Sequence, residues 1–187
     1  MALRLSFVIP PDERGTKEEK MKQIWTPWRM PYVTGQEKID GCVFCEMIAQ
    51  DRRHDAKNYI VYRGKQVFSV LNLYPYNNGH ILVLPYEHVS SLEYVSGEIQ
   101  ADMMHLASYL MSLMRELMSP AGFNIGMNIG KAAGAGIDDH IHLHIVPRWH
   151  GDTNFMPVVA GTRVIPEWLD DTYEKLRALV EATPPSI

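Results

Sequence analysis

Apolar residues along this chain change their spacing several times, and each change marks a predicted element. NYIVYRG (58–64), KQVFSVLNL (65–73) and HILVLP (80–85) are β-branched or aromatic runs separated by Arg63-Gly64 and by Tyr76-Asn77-Asn78-Gly79. They predict three consecutive antiparallel strands. Between Ser96 and Met118 the apolar positions Ile99, Met103, Leu106, Leu110, Leu113, Met114 and Leu117 recur at three- and four-residue steps. That spacing predicts one long amphipathic helix, stopped by Pro120 and Gly122. FNIGMNIG (123–130) and HIHLHIVPRW (140–149) predict two more strands joined by the loop KAAGAGIDD, and PEWLDDTYEKLRALVEA (166–182) predicts a closing helix begun by Pro166. Strands, helix, strands and helix in that order predict an α+β fold built on an antiparallel sheet of about five strands.

The ends are read differently. Residues 10–24 mix charge with turn formers and hold no apolar period, so 1–24 is expected to be a flexible arm, with one globular domain over 25–187. WTPWRMPYV (25–33) carries much aromatic area but is interrupted by Pro27 and Pro31, and is expected to pack as an irregular strap. A chain of 187 residues, 46% hydrophobic and 21% charged, has the composition of an ordinary folded protein. Its net charge of −4, without a basic cluster, argues against a nucleic-acid partner. The apolar run LSFVI (5–9) is too short for a signal peptide or a membrane span, so a cytoplasmic protein is expected.

The chemistry concentrates in DDHIHLHIVPRWHGD (138–152). Side chains alternate along a strand, so His140, His142 and His144 share one face while Ile141, Leu143 and Ile145 share the other. A single histidine there would be read as solvated; three in register call for chemistry. One possibility is a catalytic metal held by all three imidazoles with a coordination position left open. The other is covalent catalysis, in which a neutral imidazole attacks phosphorus while a backbone acceptor holds its second nitrogen and a neighbouring imidazole assists. The preceding GKAAGAG (130–136) is rich in glycine, and its amides are able to approach an anion closely. Cys42 and Cys45, the two cysteines of the chain, form a C-x-x-C that reads as a redox pair or half a zinc site.

H-I-H-L-H-I-V (140–146) resembles the signature of the histidine triad superfamily of nucleotide hydrolases and transferases. VLNLYPYNNGHILVLPYEHV (70–89) resembles that family's strand-turn-strand segment, and GFNIGMNIGKAAGAG (122–136) its approach to the triad. The opening WTPWRMPYV and the tail PRWHGDTNFMPV (147–158) look closest to the branch that includes diadenosine tetraphosphate phosphorylases. The resemblance covers roughly residues 25–182.

It implies a nucleotidyl transferase or phosphorylase acting on dinucleoside polyphosphates, with phosphate or water as acceptor, in a homodimer whose sheets join edge to edge. It makes His142 the nucleophile and sets His144 on the phosphate, Asn72 at the ribose hydroxyls, Asn128 at the phosphate region, and Gly134, Gly136 and Ile137 in the phosphate-facing loop. Relatives with the C-x-x-C complete a structural Zn2+ site with the equivalents of His88 and His140, which implies Cys42, Cys45, His88 and His140 as ligands here. Readings of the same fold as a hydrolase or phosphoramidase on AMP derivatives, or as a nucleotide-binding regulator, stay open. Where many relatives carry Gln or Ser before the triad, this chain has Ala135, Asp138 and Asp139, and two carboxylates there would repel a polyphosphate unless they point away. His80 is assigned to the strand start, and His54, His105 and His150 to the surface. Arg148 and Lys131 are the nearest cations for a polyphosphate, with pairing to a carboxylate as the alternative for Arg148.

Overall fold

A computed structural model describes residues 41–152 and 165–185; the expected arm, the strap 25–33 and the tail beyond Asp152 lie outside these residues. Five strands form one antiparallel sheet: β1 (Ile60–Arg63), β2 (Val67–Leu71), β3 (Ile81–Pro85), β4 (Gly122–Gly126) and β5 (Leu143–Arg148), in the order β1-β2-β3-β5-β4. The α+β expectation therefore holds. Among the described residues three α-helices accompany them: α1 (Val43–Ala49), α2 (Gly97–Met118) and α3 (Leu169–Ala182).

One face of the sheet is buried under α2 and α3. Val61, Val67, Leu71, Ile81, Val83 and Ile145 meet Ile99, Met103, Leu106, Leu110 and Met114 of α2 and Leu176 and Val180 of α3. Each of these side chains removed from water contributes about 1.5–3 kcal/mol, which makes this layer the main source of stability. Ser96 caps α2 by accepting the Ile99 amide at 3.3 Å. At the other end the turn into β4 passes through Ser119 in the left-handed region (φ 46°), a role the sequence reading gave to Pro120 and Gly122. α3 starts at Leu169, three residues later than expected, because Glu167 turns back to accept Thr172 Oγ1 at 2.6 Å.

The other face is divided. α1, which the sequence reading missed, covers Ile60, Phe68, Val70, Leu82 and Leu84 with Phe44. Beyond α1 the same face carries His144 opposite Gly126, with His142 two residues earlier. The last two strands are shorter than expected. β4 stops at Gly126 and β5 begins at Leu143, so His140 and His142 lie in extended chain just ahead of the ladder, and only His144 lies within it. The alternation survives all the same: Ile141, Leu143 and Ile145 enter the helical core, and the three imidazoles face the opposite way. Among the described residues no helix is long and apolar enough to cross a membrane.

Candidate active site and metal cluster

All three triad histidines are buried, but their rings serve different neighbours. His140 places Nε2 3.0 Å from the carbonyl oxygen of Pro85, a contact that requires Nε2 to carry the proton. Nδ1 then faces the sulfurs of Cys42 at 3.3 Å and Cys45 at 3.6 Å. His88 brings its own Nδ1 to 3.4 Å from Cys45. The two cysteines flank the start of α1, and Phe44 between them packs on the rings of His140 and His142, which fixes that helix to the sheet.

Donor atoms of Cys42, Cys45, His88 and His140 all lie within 4.8 Å of one another. Around a tetrahedral ion with metal–sulfur bonds of about 2.3 Å and metal–nitrogen bonds of about 2.0 Å, sulfur and nitrogen stand about 3.5 Å apart. The observed sulfur–nitrogen separations of 3.3 to 3.6 Å match that edge, so the residues fit a tetrahedral metal. Burial, then Cys42 and Asp139, push the Cys45 thiol up to about 11, so with no cation beside it the group stays protonated. Among the described residues this is the one such cluster, and it withdraws His140 from any three-histidine site.

His142 is oriented the other way. Its Nδ1 lies 2.8 Å from the backbone oxygen of His140 and donates to it, which leaves Nε2 as an unprotonated lone pair. Burial lowers its pKa, against the opposing pull of that hydrogen bond, and so favours the neutral, nucleophilic ring.

His144 receives its tautomer from a residue the sequence reading set aside. His80 is wholly buried; its Nδ1 accepts the Tyr76 amide at 3.0 Å and faces the Asn72 side-chain nitrogen at 3.2 Å. The Asn72 oxygen is committed to the Tyr74 amide, which identifies the nitrogen end as the one facing His80. With Nδ1 accepting, His80 carries its proton on Nε2 and donates to Nδ1 of His144 at 2.9 Å. His144 is left with its proton on Nε2, 3.5 Å from the Asn128 amide. Burial, with His142 adding to it, holds the His144 pKa down to about 4. One ring thus offers a lone pair and its neighbour, 4.8 Å away between centroids, offers an N–H. The signal for His80 was its parity: it shares a face with Leu82, which stands opposite His144.

Other predicted residues divide. Gly134 sits at φ +87°, a conformation that suits glycine, and its amide donates to the Lys131 carbonyl at 3.0 Å within the turn. Ile137 packs against the cluster around Phe44. Arg148 is held bidentately by Asp152 at 2.6 and 2.9 Å and reaches Asn124 at 2.6 Å; the carboxylate-paired alternative is the observed one. Asp138 pairs with Lys131 at 3.8 Å, and Asp139 lies 3.9 Å from the His88 ring, so the two carboxylates point in separate directions.

Comparison with known proteins decides the family. The HIT domain matches residues 53–151. The chain belongs to the HIT domain family. This HIT chain is 37% identical over 169 residues to a protein of Mycobacterium tuberculosis named AP-4-A phosphorylase, covering 86% of this chain and 85% of that protein. A Zn-bound histidine triad family protein from Mycobacterium smegmatis superposes with a TM-score of 0.60 at 31% identity, over 76% of this chain and 94% of that one. A histidine triad nucleotide-binding protein from Sulfolobus tokodaii gives a TM-score of 0.58 at 26% identity, over 75% and 90%.

Proposed function

We propose that this HIT domain is a nucleotidyltransferase that phosphorolyses dinucleoside polyphosphates through a covalent nucleotidyl-histidine intermediate. The observation that carries the reading is the His142 ring, with Nδ1–H held by the His140 carbonyl and Nε2 bare beside the Nε2–H of His144. The similarity to a protein named AP-4-A phosphorylase supports the substrate class.

In the first step the Nε2 lone pair of His142 attacks the α-phosphorus. A nitrogen–phosphorus bond forms, the bond from phosphorus to the bridging oxygen breaks, and the remaining polyphosphate departs with the electron pair. The His142 ring gains positive charge as it bonds, and the His140 carbonyl stabilises that charge through Nδ1–H. His144 hydrogen-bonds the phosphoryl or bridging oxygen without surrendering its proton, and Asn128 assists from the same side. In the second step an oxygen of inorganic phosphate attacks the adenylyl phosphorus, the nitrogen–phosphorus bond breaks, and His142 recovers its lone pair. From diadenosine tetraphosphate the products are ATP and then ADP. Asn72 is assigned to the ribose side, next to the His80 relay, and Gly136 and Ile137 to the phosphate loop.

Zinc is the metal we assign to Cys42, Cys45, His88 and His140, and a closed four-ligand site of this kind supplies cross-linking rather than catalysis. A second copy is placed along β4, the edge strand whose Ile125 is exposed, to give a homodimer with a continuous sheet. A reducing cytoplasm would keep the two thiols available to the metal.

The reading is tested by incubating the full chain with diadenosine tetraphosphate with and without phosphate, and by measuring intact mass after trapping with substrate. ADP formed only with phosphate, and an adduct of one AMP lost in His142→Ala, are expected. AMP formed with water as acceptor would make the protein a hydrolase, and binding without turnover would make it a nucleotide-binding regulator.

A further inference from the structure

The pair Asp138-Asp139 is the part of the triad segment that the proposed chemistry does not use. The two side chains take separate directions: Asp138 goes to Lys131 across the glycine loop, and Asp139 goes to the far ring nitrogen of His88. That second direction has a counterpart in the same cluster. His140 directs Nδ1 at the thiols because its Nε2–H is held by the Pro85 carbonyl. His88 also directs Nδ1 at a thiol, and the group standing at its Nε2 is the Asp139 carboxylate, 3.9 Å away. Each metal-facing imidazole thus has an oxygen on its far side: for the buried ring a backbone carbonyl in hydrogen-bond contact at 3.0 Å, and for the exposed one a carboxylate at 3.9 Å, within reach of charge but longer than a hydrogen bond.

We propose that Asp139 is a positioning residue of the Cys42, Cys45, His88 and His140 cluster, holding His88 with Nδ1 toward the metal and adding a negative charge to the cation's surroundings. The inference rests on the metal reading above. Two effects support it. An acceptor at Nε2 fixes the proton there and frees Nδ1 as a lone-pair donor, and a carboxylate in that position raises the basicity of the imidazole toward a cation. With two thiolates and a nearby carboxylate facing a divalent ion, a net negative site results, and this resists loss of the metal to neutral competitors. His88 is about half exposed, so without such a partner its ring has freedom to turn away; His140, buried on all sides, has none.

The test is metal affinity of the full-length protein, read by competition against a chromogenic chelator with Zn2+, and by the visible spectrum of the Co2+-loaded protein. Asp139→Asn is expected to weaken Zn2+ binding on the order of 10-fold or more, and Asp139→Glu to restore most of it. Asp138→Asn, which alters the neighbouring charge but not the His88 contact, is expected to bind metal like the wild type. The Co2+ spectrum reports ligand geometry, which a general loss of stability would not change, and Asp139→Asn should broaden or shift it. Unchanged affinity and spectrum in Asp139→Asn, with wild-type protein binding metal normally, would overturn this inference alone. Wild-type protein that takes up neither Zn2+ nor Co2+ would overturn the metal reading and the role of Asp139 with it.

Discussion

His140 and His142 stand two residues apart, are both buried and face the same side of the sheet, yet they are set up for opposite tasks. His140 gives its Nε2–H to the Pro85 carbonyl and turns Nδ1 to sulfur; His142 gives its Nδ1–H to the His140 carbonyl and keeps Nε2 bare. The side chains are identical and their burial is similar, so the difference comes from which ring nitrogen the backbone captures. The imidazole's task is thus fixed by a carbonyl oxygen rather than by the imidazole itself. The two ends also share a part. His140 supplies a ring to the cluster and a carbonyl to His142, and Phe44 touches both rings.

The sharpest way to break this contrast is to remove the proposed nucleophile. His142→Ala should reduce turnover of diadenosine tetraphosphate by about 10^4-fold or more while the thermal midpoint and metal content stay near wild type. Next comes the relay behind the second ring. Without His80, His144 loses the donor that holds its proton on Nε2, so His80→Ala should lower kcat by roughly 10^2-fold with a smaller change in KM. An apparent kcat that falls only in proportion to the loss of folded protein, with kcat per folded molecule unchanged, would place His80 in folding alone.

At the other end, Cys42→Ser should reduce metal content and lower the thermal midpoint by roughly 5–10 °C, with activity measured well below that midpoint falling far less than in His142→Ala. A drop in kcat as large as that of His142→Ala would erase the division of labour between the two ends. The smallest effect is that of pH on stability. His144 is faced by His80, His142 and Tyr76, and its pKa of about 4 in the fold lies below the ordinary 6.5. The unfolded chain takes up the proton first as pH falls, so this contribution to stability is complete above 6.5 and erodes between 6.5 and 4. Urea midpoints compared at about pH 7.5 and about pH 5 should drop for the wild type and drop less for His144→Asn.

The sheet and the long helix were legible because each depends on a repeating period backed by burial. Ile99 to Met114 keep one stripe of α2 against one face of the sheet, and no local feature competes with that pattern. Half of the metal quartet was legible locally as the C-x-x-C, and the full set only through resemblance, since His88 and His140 lie 43 and 95 residues beyond Cys45. What stayed hidden depends on contacts distant in sequence. α1 has only seven residues, too few for a period to emerge, and is held by Phe44 against the sheet. His80 read as a strand start because its partner His144 is 64 residues away. The fate of Arg148 was set by Asp152 after a turn, and that of Asp139 by His88 on a separate segment.

The loop that carries Tyr76 to His80 is tied down by two neighbouring amides. Asn77 reaches the Pro147 carbonyl and Asp152, and Asn78 reaches Glu167, whose carboxylate also receives Thr172 from the first turn of α3. During synthesis these anchors emerge about 70 to 90 residues after the loop they secure. Pro147 belongs to β5, so the first anchor arrives with the sheet itself, while Asn78 finds Glu167 only when the segment that opens the closing helix docks. The loop behind the proposed relay is therefore the last part of the site to be restrained.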